Sequence, residues 1–340
     1  MKFFLAFTFV IFILLVTSSV YKNDALIFFS KNHTNLLKGF AILTVFWGHI
    51  GSAYSIHGIQ WIAGIGVSLF LICSGYGLEA SYNKNGLKKY WIKRFLAVIL
   101  PYWIIYLISA AIVSNNFTLE LAFQIIIFIK ANWYIRYILI IYIIYWALKK
   151  VVLRLKLSQK FFYVLLFSTF ILWFIIESLF FAKANAPSLL ARQMFAFPLG
   201  IVIYDHFSWF KELLTNNRFS IHLTFMVTAI FSVIFLGISQ MDFIVSLPYL
   251  LSNTISLLTV MPLAFLVIRI SCLCYKLFNN GLFNLLGTVS YEIYLIQYFS
   301  RQIINQEAWS LYICFIVTIL LAITFQIIYK KFRLSKLVKI

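Results

Sequence analysis

In the stretch LLKGFAILTVFWGHIGSAYS, residues 36–55, one lysine and one histidine stand eleven residues apart among apolar side chains. Ionisable groups inside a spanning helix are costly, so they are functional suspects. Eleven helical steps of about 100° end about 20° past three full turns. Lys38 and His49 therefore share one face, separated by about 16 Å along the axis. A cation at one end can hold a phosphate, and an imidazole titrating near neutral pH can take a proton at the other. That geometry suits a long ligand with a phosphate-bearing head and a reactive tail, such as extended pantetheine carrying a thioester. A snorkelling lysine and a packing histidine are the plain alternative.

The elements that must position this pair are set by composition. Of 340 residues, 63% are hydrophobic and 11% charged, and mean hydropathy is +0.97. Soluble domains average about 45–50% apolar and about 25% charged, so a soluble globular protein is excluded. The formal charge of +19 comes from 28 basic and 9 acidic residues. The basic residues cluster in short gaps between apolar runs, as in a polytopic membrane protein rather than a nucleic-acid binder. A spanning helix needs about 20 mostly apolar residues. Candidates lie near 3–20, 36–55, 61–80, 95–113, 133–148, 161–181, 188–204, 220–238, 247–268, 284–300 and 309–329. The run 119–130, after Ser114-Asn115-Asn116, is too short to cross and reads as re-entrant or interfacial. The expected fold is an all-α polytopic membrane protein of about ten to eleven transmembrane helices with that short extra helix. It forms a single integral-membrane domain over 1–340.

Orientation follows from the loop cations. Lys84, Lys88, Lys89, Lys93 and Arg94 mark 82–94, and Lys149, Lys150, Arg154, Lys156 and Lys160 mark 149–160. Lys330, Lys331, Arg333, Lys336 and Lys339 mark the C-terminal tail. All three are expected on the cytoplasmic side, with the 21–37 loop and its Lys22 and Lys31, and the N-terminus outside. Residues 1–20 read as an extra N-terminal transmembrane helix; a cleaved signal peptide would place 21–37 outside, against its charge. Cys73, Cys272, Cys274 and Cys314 form no CxxC pair and read as buried small side chains.

From Lys38 onward the chain resembles the acyltransferase-3 family of integral-membrane O-acyltransferases that modify sugars of bacterial surface glycans. Lys38-Gly39-Phe40-Ala41 running to Gly48-His49 resembles its (Arg/Lys)-x10-His motif, and GVSLFLICSGYGL at 66–78 its second helix. KKYWIKRFLAVILPYW at 88–103, NWYIRYILIIY at 132–142, RQMFAFPLGIVI at 192–203 and LLGTVSYEIYLIQ at 285–297 follow in the family's order. The family-like core covers about 36–330. Three departures stand out: Arg94-x-x-Ala97 for the common Arg-x-x-Arg, Gln297 for a late His, and Lys38 for the commoner Arg. The resemblance implies transfer of an acetyl or other acyl group, with acetyl-CoA as co-substrate and no resident cofactor. It implies a polysaccharide or lipid-linked sugar hydroxyl as acceptor, and the plasma (inner) membrane as location. Lys38, Arg94 and Ser74 fall on the donor side, and His49 is the base or the carrier of a transient acyl group.

The other polar residues stay open. Ser74 in Ser74-Gly75-Tyr76-Gly77 lines a donor channel or a helix contact. Glu177 orients His49, meets the acceptor, or pairs with Arg192 across the outer 182–187 loop. Trp133, Tyr134 and Arg136 suit sugar stacking and hydroxyl bonding, or an interface belt. Tyr291 and Glu292 stand in SYEIYL. Glu79 reads as solvated at a cytoplasmic helix end, and His33, His57, His206 and His222 as solvated in loops or at helix ends. No HExxH, Gly-rich phosphate loop or GxSxG elbow occurs, so no metal is expected. The competing class is a transporter or flippase of a lipid-linked glycan, with Lys38, Glu177 and Arg192 along a pathway; it would show paired broken repeats, and none stands out.

Overall fold

Backbone polar groups in hydrocarbon must be satisfied within the segment, which leaves apolar runs to form helices. The computed structural model describes residues 2–18, 26–56, 60–113, 117–180, 190–305 and 307–337, and these are all-helical with no strand among them. Lys22, His57, Ser114-Asn115-Asn116, the 182–187 loop and Lys339 lie outside the described residues. In chain order come α1 (Lys2–Thr17), α2 (Lys31–Ala53), α3 (Gln60–Asn85), α4 (Tyr90–Arg94), a π turn (Phe95–Ile99), α5 (Leu100–Val113), α6 (Leu119–Ile126) and α7 (Trp133–Arg154). Then follow α8 (Gln159–Phe180), a 3-10 turn (Ala191–Gln193), α9 (Ala196–Asp205), α10 (Phe207–Thr215), α11 (Phe219–Ile238), α12 (Asp242–Val245) and α13 (Tyr249–Leu273). The chain ends with α14 (Tyr275–Phe278), α15 (Gly281–Thr288), α16 (Ser290–Ser300), a 3-10 turn (Arg301–Ile303) and α17 (Ala308–Leu337).

Among the described residues, seven helices are long and apolar enough to cross a membrane: α2, α3, the run Tyr90–Val113, α8, α11, α13 and Trp309–Phe332 within α17. The described helices do not confirm the expected ten to eleven on length and apolarity, and four segments account for the difference. The first, α1, has only 16 residues. Helix α7 has the length, but Arg136, Lys149, Lys150 and Arg154 lower its apolarity. The 188–204 candidate yields a 3-10 turn and the ten-residue α9. The 284–300 candidate is broken at Val289 into α15 and α16. The short extra helix is the eight-residue α6, capped by the Thr118 hydroxyl, which accepts from the Leu121 amide.

The chain forms two compact units from non-contiguous segments. One comprises Met1–Phe7, Asn85–Leu157 and Val289–Ile340; the other comprises Thr8–Lys84 and Ser158–Thr288. In the second unit α2 packs closely against α15. A Cβ on Gly39 would collide with the Phe283 carbonyl of α15, and one on Gly287 with the Asn35 carbonyl of α2. Backbone thus packs on backbone, an approach only small residues allow. The amide of Asn35 reinforces it, donating to the Asn284 carbonyl at 3.0 Å and to Thr288 Oγ1 at 3.2 Å. Helix α1 is tied to this unit by Trp47 Nε1 donating to Thr8 Oγ1 at 2.9 Å and by Ser18 Oγ donating to Asn280 Oδ1 at 2.7 Å.

Candidate active site

Helix α2 runs unbroken from Lys31 to Ala53, so Lys38 and His49 do lie on one helix at the spacing that puts them on one face. Both are half-buried, and His49 Nδ1 is shielded from the surface. Helix α3 runs antiparallel beside them. Gln60 Nε2 donates to Ser52 Oγ at 2.8 Å, and Gly66 faces the Ala41 carbonyl and the Thr44 hydroxyl. That register brings Cys73 and Ser74 to the level of Lys38, whose charge acts on Cys73. Ser74 is half-buried. At the same level, Gly75 of α3 meets the Phe197 carbonyl of α9, and Gly200 of α9 meets the Ile72 carbonyl of α3.

Arg192 and Gln193 precede α9 in the same unit. Both Arg192 Nε and Gln193 Oε1 are buried with no hydrogen-bond partner among the described residues. Gln193 reaches the space beside Gly64, on the side of α3 that also meets Val260. Glu177 is half-buried on α8. Residues 181–189, between Glu177 and Arg192, lie outside the described residues.

Three sequence expectations in this unit are corrected. His33 is not a solvated loop residue: it is fully buried in the first turn of α2. Its Nδ1 accepts the Phe29 amide at 3.0 Å, which leaves Nε2 protonated to donate to Ser271 Oγ at 2.8 Å. Glu79 is 1% exposed rather than solvated, and Asn83 Nδ2 donates to its Oε1 at 3.3 Å. His206 joins α9 to α10 with its ring 6.2 Å from Tyr163, and His222 pairs with Asn217 Oδ1 at 2.7 Å. Of the four cysteines, Cys274 is exposed, against the expectation that all are buried.

In the other unit Arg94 ends α4, directly before the π turn. Pro101 has no N–H to donate to the Ala97 carbonyl, as a regular α-helix would require. The chain instead widens by one residue, with the Leu100 amide reaching the Phe95 carbonyl. Two phenols hold the widened turn: Tyr291 donates to the Val98 carbonyl at 2.8 Å and Tyr329 to the Leu96 carbonyl at 2.6 Å. Such turns concentrate at functional sites, and this one was not anticipated. Ala97, where a second family arginine would stand, lies inside it.

Arg94 is half-buried over the Tyr142 ring of α7, 5.4 Å from its centre, and its Nε has no hydrogen-bond partner among the described residues. Tyr90 donates to the Tyr142 carbonyl at 2.9 Å and lies parallel to Tyr145, 6.2 Å away. Lys149 is 1% exposed, its ammonium 5.7 Å from the Tyr145 centre. It thus belongs to the packed end of α7 and not to a solvated 149–160 loop. At the opposite end of α7, Arg136 is exposed and Trp133 half-buried. Tyr134 is buried with its ring 5.0 Å from Tyr294. Glu292 falls in the first turn of α16 rather than mid-helix, because the chain breaks at Val289. A carboxylate is favoured at such a helix start. Gln297 is buried on α16, its side-chain oxygen without a partner among the described residues.

The described His, Cys, Asp and Glu side chains form no group of three that could hold a metal. The arrangement instead offers a titratable imidazole, cations with open donors and aromatic rings beside them. The family model described as an acyltransferase domain, acyltransferase-3, matches residues 33–335. The chain belongs to this family. It is thus a multi-pass membrane acyltransferase by family and by its apolar helices. No curated protein and no solved structure matches it. The family supplies no support for the transporter alternative.

Proposed function

We propose that this chain moves an acetyl group from cytoplasmic acetyl-CoA to a hydroxyl of a surface polysaccharide or lipid-linked sugar, in the plasma (inner) membrane. The observation that carries this reading is the Lys38–His49 stripe on one unbroken helix, held by backbone-to-backbone contact with α15. Lys38 and Arg94 bind phosphates of the donor, and Ser74 stands beside Lys38 on the donor side. The His49 imidazole accepts the proton of the acceptor hydroxyl as its oxygen attacks the thioester carbonyl. The C–S bond then breaks, and the departing thiolate takes the proton back from the imidazolium. A hydroxyl ionises far above neutral pH, so this assistance is worth about 10²–10⁴-fold. The same imidazole serves a relay in which it attacks the thioester first and carries the acyl group to the hydroxyl. Glu177, Arg192, Trp133, Tyr134 and Arg136 are the acceptor-side residues. Tyr291 supports the π turn behind Arg94, since its hydroxyl is committed to Val98.

The test is the mass of surface glycan from cells with and without the gene. The reading expects a shift of one acetyl per modified unit, restored by the wild-type gene and not by His49→Gln. Unchanged glycan mass, or loss of the whole glycan from the surface, overturns it.

A further inference from the structure

One face of α16 carries Tyr294, Gln297, Tyr298 and, at its end, Arg301, at the i, i+3, i+4 and i+7 spacing of a helical stripe. The helical register holds to that end, because the Arg301 amide donates to the Gln297 carbonyl. Within the same unit, rings from two other helices meet this stripe. Tyr134 of α7 lies 5.0 Å from Tyr294, and Tyr106 of α5 lies parallel to Tyr298 at 6.2 Å. Tyr106 and Gln297 are each 2% exposed, whereas Tyr298 is 45% exposed, so the cluster runs from the packed interior to the surface.

The protein does not match the polar atoms of this cluster. Arg301 Nε and Gln297 Oε1 are both buried with no hydrogen-bond partner among the described residues. The guanidinium lies 6.0 Å from the Tyr298 ring centre, and the described groups whose charge acts on it are Tyr298, Cys314, Tyr294 and Tyr106, none of them a carboxylate. A cation in such a setting calls for an anion, and a guanidinium takes carboxylate and phosphate alike. Gln297 Oε1 can only accept, so the occupant presents a hydroxyl or N–H beside its anion. An oxyanion, a hydroxyl donor and a C–H face for the phenol rings are combined in an acidic sugar. The level of the cluster agrees. Ser300, next to Arg301, is engaged with Thr318 of α17 at 2.6 Å, while Tyr329 of α17 donates to the Leu96 carbonyl beside Arg94. Thr318 and Tyr329 are eleven helical residues apart, about 16 Å, so Arg301 stands well away from the donor phosphates assigned to Arg94.

We propose that Arg301 and Gln297, one turn apart at the end of α16, form a subsite that selects an acidic acceptor sugar. The Arg301 Nε–H donates to the sugar's carboxylate or phosphate, Gln297 Oε1 accepts from a hydroxyl beside it, and the tyrosine rings pack on the C–H face. The inference rests on the acyl transfer proposed above and names the class of its acceptor. It also explains why an arginine stands at the end of α16 with no acidic partner among the described residues.

Surface glycan from cells expressing the full chain is cleaved to oligosaccharides, and the acetylated unit is located by tandem mass spectrometry. In the wild type the acetyl should sit on a sugar that bears a carboxylate or a phosphate, or on one bonded directly to it; the fragment masses tell the two anions apart. Arg301→Gln should lower the acetylated fraction by about tenfold or more, the worth of a charge-assisted contact, and Arg301→Lys should retain more than Arg301→Gln. Gln297→Glu keeps the shape but places a carboxylate one turn from Arg301, where it pairs with the cation and repels an incoming anion. Acetylation should fall about as far, with a melting temperature in detergent no lower than wild type. A role in packing alone predicts the reverse, with acetylation kept in Gln297→Glu. That variant decides the matter if Arg301→Gln does not fold, and the position of the acetyl group is read without either. Acetyl confined to neutral sugars with no acidic neighbour, or full acetylation in Arg301→Gln or Gln297→Glu, overturns this inference and leaves the proposed transfer standing. Glycan without acetyl in the wild type overturns both.

Discussion

His33 and His49 lie on the same helix and differ in what their nitrogens can do. Both ring nitrogens of His33 are engaged, one by the Phe29 amide and one by Ser271, so it has no lone pair for a substrate. His33→Ala leaves buried polar groups unpaired, which costs about 1–3 kcal/mol. Thermal unfolding in detergent should show the loss. His49→Ala should leave the fold intact and abolish acylation. His49→Gln keeps a similar volume and a hydrogen bond but no titratable nitrogen, so it should be equally inactive. A packing role would show the reverse, with Gln restoring what Ala loses. Lys38→Ala should raise the apparent KM for acyl-CoA by about ten- to hundredfold, the worth of one charge-assisted hydrogen bond. Lys38→Arg should be tolerated; equal damage by both would remove the phosphate role. The Lys38–His49 pair is legible in the sequence because helical periodicity alone aligns it. The burial of His33 is not, because its partner Ser271 is 238 residues away in the chain.

Helix existence was legible in the sequence; helix continuity was not. The apolar run 284–300 gives no local warning of the break at Val289. The π turn had a local signal in Pro101, yet the phenols that hold it come from Tyr291 and Tyr329, far along the chain. The glycines show the same division. Gly39 and Gly77 look alike in sequence, but a Cβ on Gly39 meets the Phe283 backbone, whereas one on Gly77 meets nothing within 4 Å. Gly39→Ala should therefore push α2 from α15 and cost about 1–3 kcal/mol, the usual range for overpacking. Because α2 carries His49 and Lys38, activity should fall with stability. Gly77→Ala should leave both unchanged. Equal melting temperatures for the two variants would refute the close α2–α15 contact.

For the whole molecule, composition and loop charge indicate a membrane protein with basic faces inside, but they do not say which short helices cross. The Gly86–Lys89 turn and residues 155–158 are expected inside, with the run Tyr90–Val113 and α7 crossing between them. Helix α8 then emerges outside. From there the orientation rests on the 3-10 turn with α9, a segment too short to span by the usual length. If it completes a crossing with the residues before it, Lys211 and Arg218 lie inside and α11 delivers Asp242 outside. If it does not, α11 delivers Asp242 inside. The charge pattern favours the first path, because α13 then returns to the cytoplasm near Lys276 and α17 ends with Lys330 and Lys331 inside. Single cysteines placed in a background without native thiols decide it. A membrane-impermeant maleimide added to intact cells should reach position 242 and miss 88, 156 and a Cys274 restored alone, a position exposed in the structure. Labelling at 88 and 156 but not at 242 would reverse the donor face and remove the basis for placing Lys38 at cytoplasmic phosphates. Labelling at 274 but not at 242, with 88 and 156 silent, would instead show that the α9 segment does not cross. That outcome would place Arg192 on the outer side with both of its neighbouring helices entering the bilayer from there.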